Sequence, residues 1–438
     1  MSAATAESDA MLALIALLHP ICRSITGEGV RQTLELLGRE IPLEVHEVES
    51  GTPVLDWTVP REWNVRDAWI RDGTGRKVVD FRNSNLHVVS YSAPVRRRMT
   101  LAELEPHLHS MPDRPDWIPY RTSYYAETWG FCLSHKQLES MAEGEYEVCI
   151  DSTLEPGSLT YAEHVLPGEC EEEILISCHA CHPSLANDNL SGIAVAVALA
   201  KRLSALPRRH TIRFLFAPGT IGAITWLARN RERVRRIRGG LTLVCLGDDA
   251  PLTYKSTVFG DANVDRAAAH ALAALGAPHR LVDFSPYGYD ERQYNSPGFR
   301  APIGSLMRGR HGEFPEYHTS ADDLDFVKGE QLLEALAACT GIVRGLDANR
   351  RYRNLAPHGE PQLGSRGIYR AMGGDSDPVE LQLAMLWVLC LSDGDHDLLK
   401  VALRSRISLE VLADAAQLLA RHGLLEEIPE GVDTCAFS

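Results

Sequence analysis

The sequence predicts an α/β protein: a mostly parallel central sheet with helices on both faces, joined to a β-rich insertion and a C-terminal helical module. Three observations predict it. From about residue 145, short apolar runs alternate with helical patterns, as chains that build a covered parallel sheet do. Residues 51–144 have a different texture, Trp, Tyr, Val and Thr punctuated by Pro, Gly and Asn. Residues 376–438 carry three further helical patterns, behind a Gly-, Pro- and Arg-rich stretch.

Residues 9–40 open with helical periodicity, broken at "HPICRSITGEG". The runs "TPVLDWTVPREWNVRDAWI", "KVVDFRNSNLHVVSYSAP" and "YRTSYYAETWGFCLS" follow as strands and turns, and Trp57, Trp63, Trp69, Trp117 and Trp129 are expected to form the core of that insertion. "YEVCIDS", "LTYAEHVL", "EEILISCH", "HTIRFLFA" and "LTLVCLG" read as the next strands. "LSGIAVAVALAKRLSAL", "IGAITWLARNRERVRR", "NVDRAAAHALAALG" and "GEQLLEALAACTGIVRGL" read as helices. The expected division is therefore 1–50 with 145–345 as the α/β domain, 51–144 as the insertion, 346–375 as a linker and 376–438 as the terminal module. In that module Ser408 is the expected N-cap of the last helix, and the spacing resembles a winged helix. Its would-be recognition helix carries Glu410 and Asp414, with only Arg421 as a cation. A protein partner fits that helix better than DNA does.

The 438 residues carry a net charge of -15, a poor balance for neutralising phosphates, so general nucleic-acid binding is not expected. No apolar run reaches bilayer length, so no membrane is expected. "AMLALIALLHPIC" lacks a basic flank and a cleavage site, and reads as a buried helix. The ten cysteines form no regular framework, which points to a reducing cytoplasm and free thiols.

The chemistry concentrates in Cys178–Gly192, "CHACHPSLANDNLSG". It follows "EEILIS" directly, so it is a loop at the carboxyl end of a strand, where sites gather in such sheets. His179, Cys181, His182 and Asp188 share this loop, Asp248 and Asp249 close "LTLVCLGDD", and His318 lies in "GEFPEYHTSADDLDF". Three clusters at three strand ends point to a metal site, and a catalytic zinc takes three protein ligands with one position open. The competing reading makes Asp188 a turn and cap residue between two asparagines, and leaves Asp248 and Asp249 solvated. Cys178 and Cys181 make a C-x-x-C with no second pair, and are read as bystanders.

The stretches "DWTVPREWNVRDAWI", "CHPSLANDNLSG", "YDERQYNSPGF" and "GEFPEYHTSADDLDFV" resemble the zinc aminopeptidase superfamily of co-catalytic bacterial aminopeptidases and glutaminyl cyclases. The whole chain is similar to bacterial proteins with an aminopeptidase-like domain, an inserted β-rich domain and a C-terminal winged helix. The resemblance implies Zn2+, one per chain, held by His182 or His179, by Asp188, by Asp248 (with Asp249 as reserve) and by His318. It implies hydrolysis of a small peptide-like or amino-acylated substrate. Asp290, Glu316 and Tyr317 are then candidates to hold that substrate.

The chain departs from the superfamily at one place. In "FLFAPGTIGAITWL", Gly219 takes the position of the general base and Thr220 that of a second-metal carboxylate. Glycine carries no proton. Glu313 or Glu291 is then the expected substitute base. The alternatives are a metal-dependent acyl transfer or cyclisation, or a degenerate metal-binding scaffold.

Overall fold

The apolar runs of the α/β stretch form the interior of one eight-stranded sheet. The computed structural model describes residues 3–368 and 378–429. Strands β1 (Glu44–Glu49), β2 (Ser158–Leu166), β3 (Cys170–His179), β4 (His210–Ala217), β5 (Ile237–Leu243), β6 (Leu252–Lys255), β7 (His279–Val282) and β8 (Ile303–Met307) lie in the order β1-β2-β4-β3-β5-β8-β6-β7. The centre, β4-β3-β5-β8, is parallel. The flanks are not: β1 and β2 run antiparallel to their neighbours, and so do β6 and β8 to each other.

β3 and β4 are buried over almost their whole length, side chains of both faces included, because helices cover both sides. The helices are α1 (Ala3–Leu18), α2 (Glu28–Leu37), α3 (Gly192–Ser204), α4 (Ile221–Arg229), α5 (Asn263–Leu275) and α6 (Gly329–Ala348). The run read as a buried N-terminal helix is α1, with Ile15 and Leu18 fully inside. One polar tie crosses the sheet: Arg213 of β4 reaches Glu173 of β3 at 2.7 Å and Glu163 of β2 at 3.0 Å, all three buried.

The insertion contributes a separate antiparallel sheet in the order Lys77–Asp80, Glu62–Arg71, Glu145–Glu155, Val95–Thr100. "YEVCIDS", expected at the start of the α/β alternation, is the third of these strands. Strand composition marks a strand but not the sheet it joins. Trp63 and Trp69 are buried and Trp117 and Trp129 half-buried, whereas Trp57 is 43% exposed, with its ring 5.4 Å from that of Tyr125. The expectation of five core tryptophans therefore fails at Trp57.

Behind α6 the chain builds the terminal module from α7 (Pro378–Leu391), α8 (Leu398–Ser405), α9 (Leu409–Arg421) and a three-stranded sheet centred on Arg351–Asn354. Ser408 caps α9 by accepting from the Val411 amide. The segment 346–375 is less of a linker than expected. It begins inside α6 and supplies the central strand of this sheet; residues 369–377 lie outside the described ones. The module is not a separate body. Leu399, Ala402, Leu412 and Leu419 join the same apolar core as Leu346, Ile342 and Ala271 of the α/β domain.

Candidate metal centre

β3 delivers His179 to the carboxyl edge of the sheet, and the following loop brings His182 and Asp188 back over it before α3 begins. His179 Nε2 lies 2.9 Å from Asp188 Oδ1 and 3.1 Å from His182 Nδ1, and His182 Nδ1 lies 3.6 Å from Asp188 Oδ1. His318, from the loop before α6, places Nε2 3.0 Å from Asp188 Oδ2. Those last two atoms face each other without hydrogen-bond geometry, and both are buried without a partner. Ligands bound to one tetrahedral zinc at about 2.0–2.1 Å stand about 3.3 Å apart, so the spacing of this group fits an ion in its middle.

The protonation states fit too. Burial opposes ionisation of Asp188, but His182, His179 and His318 outweigh it and hold the carboxyl well below its usual range. Burial pushes His182 well below the ordinary imidazole value, against the pull of Asp188. A charged Asp188 carboxylate beside a neutral His182 imidazole is the state in which these two side chains bind metal.

The loop is held by hydrogen bonds that the residue types around it make possible. Asp322 accepts the amides of Asn187 (2.6 Å) and Asp188 (2.9 Å). Asn189 donates to the Leu243 carbonyl at 2.9 Å and accepts from the Cys245 amide at 3.2 Å. Buried Arg23 donates to the His182 carbonyl at 2.8 Å. Tyr120, carried on the insertion, sets its ring edge-on to His182 (5.3 Å) and His318 (5.1 Å), and its amide donates to the His318 carbonyl at 2.7 Å. Tyr317 stacks on His318 with ring centres 4.0 Å apart.

Of the residues singled out from sequence, His179, His182, Asp188 and His318 converge. Asp248 does other work: it accepts from Asn187 Nδ2 (2.8 Å), from the Ala250 amide (2.9 Å) and, through both oxygens, from the Gly309 amide (3.1 Å). Those bonds use its lone pairs in holding the loops together, so the structure places it outside the ligand group. Asp249 is exposed and meets Gln331. Glu291 is fully buried but locked to Lys255 Nζ at 2.6 Å, with its other oxygen on the Tyr289 amide. Glu313 is half exposed and paired with Arg310 at 3.2 Å. Neither is placed to take a proton from a reacting group. Glu316 is half-buried and turns its carbonyl to the Thr319 amide.

Asp290 is buried and accepts from the Thr220 amide at 2.6 Å; burial pushes its carboxyl up to about 6. At Gly219 the reason for glycine is visible. A Cβ there would lie 1.8 Å from Tyr289 Oη. The Tyr289 ring fills that space, 4.5 Å from the His179 ring and with its hydroxyl 3.6 Å from Cys181 Sγ. Cys181 Sγ in turn accepts from the Gly219 amide at 3.2 Å, so this cysteine is a packing partner of the site.

Sequence reading missed Tyr289, Asp322, Arg23, Tyr120 and His311. His311 leaves both ring nitrogens without a partner, beside Tyr289 and Tyr317 and in the field of Asp188. Its only signal was a second histidine in "RHGEFPEYH".

Comparison with known proteins identifies the family and the fold. Residues 12–349 match the family model described as "Domain of unknown function (DUF4910)", and residues 350–427 match a winged helix-turn-helix model. A Clostridium acetobutylicum protein named for polysaccharide biosynthesis and an aminopeptidase-like domain is 50% identical over 94% of this chain and 95% of its own. A crystal structure from Clostridium acetobutylicum, described as that of a peptidase, superposes with a TM-score of 0.89 at 47% identity, covering 97% of each chain. The zinc aminopeptidase BSAP of Bacillus subtilis shares the fold at 14% identity and a TM-score of 0.57, over 77% of this chain and 94% of its own.

Proposed function

Starting from the fact that the chain belongs to the family described as Domain of unknown function (DUF4910), with a winged helix behind it, we propose that it is a zinc-dependent hydrolase of small amide or aminoacyl substrates. The observation that supports this most directly is the convergence of three imidazoles on one ionised, partly unpartnered carboxylate at the carboxyl edge of a parallel sheet. His179, His182, Asp188 and His318 would hold the ion. Zinc in such a set supplies Lewis-acid polarisation of a carbonyl and a lowered pKa for water.

The protein's own residues supply the rest. Proton transfer is assigned to His311, which burial keeps neutral and which has both ring nitrogens free. Asp290, beside the Gly219–Thr220 turn, is assigned to the substrate's ammonium or amide. Tyr317 and Tyr120 pack their rings against His318 and form walls of the site. The terminal module is assigned to protein contacts, since α9 carries Glu410 and Asp414 and pairs with Arg344 of α6. A reducing cytoplasm suits the nine free cysteines of the described residues.

The test combines metal content with turnover of aminoacyl anilides and of N-acyl amino sugars, the second class suggested by the Clostridium relative's name. Zinc is expected in the wild type and lost from His179→Ala, His182→Ala, Asp188→Ala and His318→Ala. Metal retained in all four variants refutes the ligand set. His311→Gln is expected to keep its metal and lose about 10²–10⁴-fold in rate. The second reading, a non-catalytic scaffold, is favoured by Tyr289 filling the base position; stoichiometric zinc without turnover of any amide would establish it.

A further inference from the structure

At the opposite end of β3 from His179 stands a second group of metal-ligating side chains. Cys170 opens β3 and pairs in register with His210, which opens β4. The register shifts between Cys170 and Glu173, and Glu172 sits in that irregularity. Glu172 Oε2 lies 4.0 Å from Cys170 Sγ and 4.0 Å from His210 Nε2, and the three ligand atoms all fall within 4.8 Å of one another. These separations are long for direct hydrogen bonds. They approach the roughly 3.4–3.6 Å that sulfur, oxygen and nitrogen atoms keep around a shared zinc.

The histidine is set up as a ligand. Its side chain is 2% exposed, yet Nε2 has no partner. Its Nδ1 faces Asp347 Oδ1 at 3.2 Å, and the same carboxylate takes the amides of Arg209 and His210. A carboxylate on one ring nitrogen fixes the proton there and turns the lone pair of the other outward, the usual arrangement behind a metal-bound histidine. Glu172 is divided in the same way: Oε1 accepts from Arg238 Nε and Nη2 at 2.9 and 2.7 Å, and Oε2 is left facing the gap.

We propose that Cys170, Glu172 and His210 form a second metal site, for zinc or another thiophilic divalent ion. It is distinct from the centre at His179 and lies at the amino-terminal end of the same strand. Its role is structural. The ion ties the starts of β3 and β4 together and, through Asp347, to the end of α6. That is also where the terminal module docks: Arg209 reaches Glu427 at 3.6 Å, and Arg350 reaches the same carboxylate at 3.4 Å. An ion at His210 therefore braces the seam between the sheet and the winged helix.

The sulfur ligand makes the site separable from the first, whose donors are nitrogen and oxygen. Metal-stripped full-length protein is titrated with Co2+ and followed in the near ultraviolet for thiolate-to-cobalt charge transfer. The band is expected in the wild type and in Asp188→Ala, and is expected to vanish in Cys170→Ser. Asp347→Asn, which touches no metal, is expected to weaken the binding that produces the band by about 10–100-fold. Cys170→Ser must still show the visible cobalt spectrum of the first centre, which establishes that it is folded. If that variant does not fold, Glu172→Gln and Asp347→Asn carry the test alone. Absence of a thiolate band in the wild type overturns the proposal, and so does its persistence in Cys170→Ser or its loss in Asp188→Ala.

Discussion

Position 219 shows how much a single residue can decide. A glutamate stem at Gly219 would run into the Tyr289 hydroxyl, so Gly219→Glu on its own overfills a buried site. It is expected to destabilise by about 1–3 kcal/mol. In a Tyr289→Ala background that penalty is expected to shrink by about 0.5–3 kcal/mol, the usual range for contacting side chains in a double-mutant cycle. Denaturant unfolding of the four proteins measures it, and additive penalties would contradict the contact. Asp290 gives a pH-dependent counterpart. Burial raises its carboxyl from 3.8 to about 6 in the folded protein. The folded state thus binds more protons than the unfolded one between those values, and stability falls as pH rises through them. The loss at neutral pH is roughly 3 kcal/mol. In metal-free protein, Asp290→Asn, which keeps an oxygen for the Thr220 amide, is expected to match the wild type below about pH 4 and exceed it at pH 7. Equal stability of the two proteins at pH 7 would contradict this.

Among the elements, the centre of the sheet is tied by a buried ion-pair group around Arg213. Arg213 lies on β4 between Glu163 of β2 and Glu173 of β3, and the Trp226 indole also donates to Glu163 at 2.8 Å. Arg213→Leu removes the cation shared by two buried carboxylates, leaving Glu173 with Arg233 at 3.6 Å and Glu163 with His46 at 3.0 Å, and is expected to cost about 3–5 kcal/mol in unfolding experiments. A loss below 1 kcal/mol would mean that water already screens the group. Strands and helices were legible because their apolar period survives in the sequence. β3 and its loop could be placed from "EEILISCHACHPSLANDN" alone, and with them the positions of His179, His182 and Asp188, whereas the assignment of their ligand roles came from the family resemblance. Sheet membership was not legible: "YEVCIDS" has the composition of any buried strand, and only pairing assigns it to the insertion. Asp248 and Asp322 show the same limit at the site. Each is an aspartate after a strand or turn, and nothing local distinguishes one that faces an ion from one that anchors a loop. Their different amide partners, contributed from far along the chain, decide it.

The molecule as a whole joins its parts through a common interior. The winged module shares apolar packing with α5 and α6 and adds Arg266–Asp397 at 2.8 Å and Arg344–Glu410 at 3.8 Å across the boundary. Heat or denaturant is therefore expected to unfold residues 12–427 in a single cooperative transition, read by calorimetry; two resolved transitions would show that the module is independent. α9 carries Glu410 and Asp414 and only Arg421 as a cation, a poor match for a phosphate backbone. The full-length protein is expected to show no salt-sensitive retention on immobilised DNA. Among the described residues no helix is long and apolar enough to cross a membrane.

The Tyr289 ring in the space above Gly219 also has a historical meaning. A glutamate at 219 and a large aromatic at 289 exclude each other, so the two positions are expected to vary together among relatives. Chains with an acid at the first would carry a small residue at the second, or a redirected loop. No single substitution crosses from one state to the other without passing through an overfilled or a hollow site. With the ring in place, putting a carboxylate at 219 requires two coordinated changes, one at each position.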